Sequence, residues 1–141
     1  MTKHRKLTFD PRYNGHPINT DSEIGLACDT RILNAIERTL ETGLQASSKA
    51  LVFRYDVRLP RTIDATSNKV FMSFQADFCK HLNRKGLKPR YVAVREGDSS
   101  TNPHYHVAMV LDGQKTQNPY GHLQKAEETL ARKLDLAPEV N

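Results

Sequence analysis

Pro103-His104-Tyr105-His106-Val107, with Glu96 eight residues before its first histidine, holds the residues best suited to chemistry in this 141-residue chain. Alternate residues of a strand point to one face. If the segment is extended, His104 and His106 share a face and Tyr105 points the other way. A carboxylate at the end of the preceding strand can join them. Two imidazoles and a carboxylate are a donor set for a divalent cation. Three protein ligands leave positions for substrate oxygens, as a catalytic ion requires. The site is expected to take Mg2+ or Mn2+, with Zn2+ also compatible.

Two strands must position these groups. Arg90 to Glu96 and His104 to Leu111 read as strands, and the polar link between them contains Gly97, Asp98 and Asn102. They are expected to form an antiparallel hairpin. With Glu96 opposite His104 and Val94 opposite His106, all three ligands project from one side. A slip of one residue would bring Arg95 round in place of Glu96.

The rest of the chain supplies the scaffold. Leu51 to Leu59 alternates strictly, with Val52, Arg54, Asp56 and Arg58 on the polar face, and predicts a half-buried strand. Asp29 predicts a helix N-cap, with the helix running through Thr42 and ending at Gly43. Ser67 or Thr66 is expected to cap a helix bearing Val70, Phe71, Phe74, Phe78 and Leu82, which Gly86 ends. Asn118-Pro119 predicts the start of a helix to about Asp135, with Leu123, Ala126, Leu130 and Leu134 on its apolar face. The fold class is therefore α+β, an antiparallel sheet packed by helices. Residues 1–20 are expected to be an irregular N-terminal arm and 21–141 a single domain. Three strands are few, which suggests a shortened version of a larger domain.

Composition narrows the partners. Net charge is +5, but Lys49 to Arg95 holds eleven Lys or Arg against three acids, so this segment carries +8 and the remainder −3. Such a centre favours a polyanion, nucleic acid first. Arg54, Arg58, Lys88, Arg90 and Arg95 are the candidate DNA contacts; a solvated or ion-paired face is the alternative for Arg54 and Arg58. No apolar run is long enough for a bilayer, so no membrane partner is expected. The two cysteines, Cys28 and Cys79, form no CxxC pair and no zinc-finger spacing, and a reducing cytoplasm is the simplest setting. The sequence leaves the oligomeric state open.

The segment Glu96 to Asp112, centred on His104-Tyr105-His106, resembles the signature of the HUH endonucleases of the Rep type. Leu51-Val52-Phe53-Arg54-Tyr55-Asp56-Val57-Arg58-Leu59-Pro60 and Tyr91 to Leu111 look more closely like the YagK/YfjJ-type prophage proteins, themselves similar to filamentous-phage replication initiators. The resemblance implies metal-dependent nicking and joining of single-stranded DNA through a tyrosine, with Glu96, His104 and His106 as metal ligands. The chain departs from that pattern at the nucleophile, because Tyr120 is the only tyrosine after the histidines. Tyr120 is thus either the nucleophile or a packing and capping residue. A non-catalytic nucleic-acid-binding remnant, lacking the tyrosine, is the alternative function.

Overall fold

The computed structural model describes residues 6–61, 63, 67–96 and 103–136. The basic start 1–5 with His4, the expected cap Thr66, the polar link 97–102 and the segment 137–141 lie outside them.

Short-range pairing orders much of the segment expected to be an irregular arm. Strand β1 (Leu7–Thr8) pairs with β4 (Cys28–Asp29), and β2 (Arg12–Tyr13) with β3 (His16–Pro17), both antiparallel. Asn14 and Gly15 both have positive φ, 49° and 83°, the turn that joins closely spaced antiparallel strands. Strands of two residues carry no periodicity, so the sequence pattern did not betray them.

Helix α1 (Thr30–Ala46) starts where Asp29 accepts from the Arg31 amide at 2.9 Å. It also ties down the N-terminal segment. The Tyr13 hydroxyl donates to Asn34, and the Asn14 amide to Glu37 at 3.1 Å. Gly43 does not end this helix, contrary to the pattern-based expectation. It lies inside α1 because the backbone passes close to the sheet: a Cβ there would sit 2.6 Å from Val110 Cγ1.

Strand β5 (Ala50–Arg58) stops just before Pro60, and α2 (Lys69–Arg84) follows. Asn68 is the residue before α2 but makes no side-chain cap bond, while the Ser67 hydroxyl accepts from the Lys69 amide at 3.4 Å. Gly86, at φ +70°, turns the chain out of α2 into β6 (Arg90–Glu96). Strand β7 (His104–Asp112) comes next, then α3 (Tyr120–Leu136), where Asn118 Oδ1 accepts from the Tyr120 amide at 2.9 Å.

β7 is the middle strand of an antiparallel β5-β7-β6 sheet. Its odd-numbered residues Tyr105, Val107, Met109 and Leu111 are at most 2% exposed. They meet Phe71, Phe74, Phe78 and Leu82 of α2, with Ala126 of α3 in the same core. Each fully buried large side chain there stabilises by roughly 2 kcal/mol. Tyr105 stacks on Phe71 with centroids 4.0 Å apart. The architecture is the expected α+β type, with α2 and α3 on one face of the sheet. α1 lies on the other face at its Val110 end, and no described helix covers the His104 end of that face.

Candidate metal centre

The hairpin register is the one that aligns the ligands. Glu96 pairs with His104 and Val94 with His106 in β6–β7. On the other side of β7, Asp56 pairs with His106 and Arg58 with His104. Directly opposed residues of antiparallel strands share a face. Asp56, Glu96, His104 and His106 therefore meet at the His104 end of the sheet.

The contacts form a closed circuit. His106 Nδ1 lies 2.9 Å from Asp56 Oδ1, and its Nε2 lies 3.1 Å from Glu96 Oε2. His104 Nε2 lies 3.6 Å from Asp56 Oδ2, and its Nδ1 lies 3.7 Å from Glu96 Oε2. The two rings are 4.4 Å apart at their centroids. Donors sharing one ion at about 2.1 Å sit about 3.0–3.4 Å from one another. The four contacts use opposite nitrogens of each ring, so a single ion takes either the nitrogens facing Asp56 or those facing Glu96. One donor atom each from Asp56, His104 and His106 falls within 4.8 Å of the other two. Asp56, His104 and His106 are therefore the residues that would hold a divalent ion, one nitrogen from each ring, with Glu96 facing the other nitrogens.

The electrostatics fit as well. The hydrogen bond to Asp56, then that to Glu96, hold the His106 imidazole above its ordinary pKa. The same His106 contact, with Arg54 adding to it, holds the Asp56 carboxyl below the usual range. With both nitrogens facing carboxylates, His106 donates from both when protonated. An ion binding at His106 must displace that proton. The histidine side chains are 23% and 25% exposed against 65% for Glu96, so the imidazoles form the floor and Glu96 the rim.

Two arginines frame the cluster. Arg54 Nε lies 3.4 Å from Asp56, and its Nη2 lies 3.1 Å from His106 Nδ1. Arg58 Nη2 lies 3.4 Å from His104 Nδ1. The other candidate contacts lie elsewhere. Arg95 points to the helix-covered face, donating to Asn68 at 2.7 Å and to the Tyr105 hydroxyl at 3.0 Å. Lys88 donates to the Ala46 carbonyl of α1 at 3.3 Å. Arg90 pairs with Val110, at the far end of the sheet from His104.

None of the chain's five tyrosines, all of them described, lies at the cluster. Tyr105 is buried on the opposite face, Tyr55 donates to Gln75 at 2.9 Å, and Tyr91 packs against the core. Tyr13 is held by Asn34 of α1. Tyr120 is 76% exposed at the start of α3. Two residues on, His122 meets the Thr116 hydroxyl at 2.8 Å and stacks over Phe53. Phe53 pairs with Met109, so Tyr120 belongs to the α3 side of the sheet, away from His104.

Asp56 is the functional candidate that sequence reasoning passed over. Its signal was present: it alternates with Arg54 and Arg58 on the polar face of a predicted strand. Only the pairing of β5 with β7, which sets Asp56 opposite His106, turns that face toward the histidines.

A family model described as the YagK/YfjJ C-terminal domain matches residues 11–138. No curated protein and no solved structure matches the chain.

Proposed function

The chain belongs to the YagK/YfjJ C-terminal domain family, and from that premise we propose a replication-initiation type protein of a phage or mobile element. In this reading it nicks and joins single-stranded DNA with the help of a divalent ion. The observation that carries the reading is the convergence of Asp56, Glu96, His104 and His106 between two guanidinium groups. Two imidazoles among the donors favour Mn2+ or Zn2+ over Mg2+, which prefers oxygen. When bound, such an ion polarises a phosphodiester oxygen.

The chain's own residues then bind and orient. Arg58 beside His104 and Arg54 beside His106 are placed to hold phosphate oxygens of the strand. Asp56 keeps Arg54 over the cluster while facing His106. The buried Tyr105 ring anchors β7 between the two ligands, which holds both imidazoles on the opposite face.

A second reading, binding without cleavage, is favoured by the placement of Tyr120. Strand transfer through a tyrosine needs its hydroxyl at the scissile phosphate, and Tyr120 lies on the other side of the sheet. The test has two arms. Calorimetry with Mn2+ should show binding that His104→Ala with His106→Ala abolishes while circular dichroism is unchanged. Labelled single-stranded oligonucleotides with Mn2+ should then be cut, and a covalent protein–DNA adduct on a denaturing gel would show that a tyrosine of this chain reaches the phosphate. DNA binding without cutting establishes the second reading, and an adduct lost in Tyr120→Phe would overturn the placement argument. Absence of both ion and DNA binding refutes both readings.

A further inference from the structure

The histidine cluster uses one face of the sheet, and a cluster of basic side chains lies on the other. Lys80, His81 and Arg84 follow Asp77 along α2 at three- and four-residue steps. Lys125, Thr129, Arg132 and Lys133 are spaced likewise along α3. These two stripes face each other across a cleft of about 280 Å3 between the helices. Helical spacing alone aligns such residues, but here two helices bring their basic stripes together.

We propose that this α2–α3 cleft is a second nucleic-acid site, which grips the phosphodiester backbone on the face opposite the histidines. The proposal deepens the DNA-binding reading and shares its partner, but not its ion or its residues.

The charge balance supports a ligand. Five cations line the cleft against one acid, Asp77. Asp77 is engaged by Lys133 at 2.7 Å. Lys80, Arg84, Lys125 and Arg132 have no carboxylate within ion-pair distance among the described residues. The other acids in this part of α3, Glu127 and Glu128, lie outside the lining. Lys80, Arg84 and Arg132 are exposed, so their charges meet solvent rather than core. His81 reports the same field: burial first, then Lys125 and its basic neighbours, press its imidazole below the ordinary value. A concave surface of one sign focuses potential and concentrates a polyanion. Backbone contact through Lys and Arg is independent of sequence and sensitive to salt.

The test uses the full chain without added metal. Fluorescence anisotropy measures binding of a labelled single-stranded oligonucleotide across a salt series. The triple variant Lys80→Gln, Arg84→Gln, Arg132→Gln removes three surface charges, and Arg54→Gln with Arg58→Gln removes two from the histidine face. If all three cleft charges meet phosphates, the log–log salt slope falls by about 2 and affinity at 0.1 M salt by about a hundredfold. Circular dichroism and Mn2+ binding should be unchanged. An unaltered slope in the triple variant refutes the cleft site; loss of binding in the Arg54/Arg58 variant alone would leave the histidine-face reading standing. Failure of the wild-type chain to bind DNA refutes the cleft assignment, while Mn2+ calorimetry still tests the ion site separately. Polyglutamate competing as well as unlabelled oligonucleotide at equal charge would show an acidic polypeptide partner and overturn the nucleic-acid assignment.

Discussion

Replacing Gly43 by alanine should destabilise the protein although alanine is the better helix former. A Cβ at this position would lie 2.6 Å from Val110 Cγ1. Carbon atoms settle at about 3.5–4.0 Å, so something must yield by roughly 1 Å. Val110 has little room to do so. It is 2% exposed, lies in the middle strand and is stiff about χ1. α1 is held at the same end by Ser47, whose hydroxyl donates to Asp112 at 2.6 Å. Overpacking of this kind costs about 1–3 kcal/mol. The gain in helix propensity offsets up to about 1 kcal/mol. The net expectation is a loss of about 1–2 kcal/mol, read as a lower urea midpoint at constant m-value. Val110→Ala makes room, so the double variant should be less destabilised than the sum of the two single changes. Mn2+ affinity should not change, because Val110 lies four residues along β7 from His106. A neutral or stabilising Gly43→Ala would refute the close packing of α1 on the sheet.

Further outcomes follow from single groups. Tyr105→Phe should cost about 1–2 kcal/mol, because Asn68 and Arg95 lose the buried hydroxyl they meet at 2.8 Å and 3.0 Å. It should leave Mn2+ binding intact; loss of the ion with the fold preserved would place that hydroxyl among the histidines instead. Asp112 accepts at Oδ1 from Ser47 and from the Gln114 amide, and these bonds, Ser47 first, hold its carboxyl below the usual range. A depressed carboxyl stabilises above its unfolded pKa of about 3.9, and that share is lost as pH falls through the folded value. Urea midpoints should therefore drop below about pH 4, and by less in Asp112→Asn, which keeps the Oδ1 acceptor; equal drops would contradict the assignment. Burial pushes the Cys79 thiol up to about 11. Iodoacetamide at pH 8 should modify it roughly a hundredfold more slowly in the native protein than in urea, as mass spectrometry would show.

What the sequence revealed depended on the range of the interactions involved. The alternation from Leu51 to Leu59, the apolar stripes of α2 and α3 and the hairpin register at Glu96 are local patterns, and the structure carries each of them. Gly43 misled because glycine signals both a helix end and a close approach, and only the position of Val110 separates the two. The short strands between Leu7 and Asp29 are fixed by pairing and by bonds to α1, neither of which leaves a period in the sequence. Asp56 joined the site through a strand pairing between distant segments. Arg95 and Arg54 look alike as basic strand residues, yet pleat parity sends one to Tyr105 and the other to His106.

The central claim is that His104, His106 and Asp56 share one cation, with Glu96 facing the remaining ring nitrogens. Mn2+ is paramagnetic, and titrating it while following the histidine ring signals by NMR locates the ion directly. The account predicts that the His104 and His106 signals broaden first, at substoichiometric ion, with those of His16, His81 and His122 still sharp. Broadening that begins at His81 or His122, or that never singles out the two β7 histidines, would contradict it.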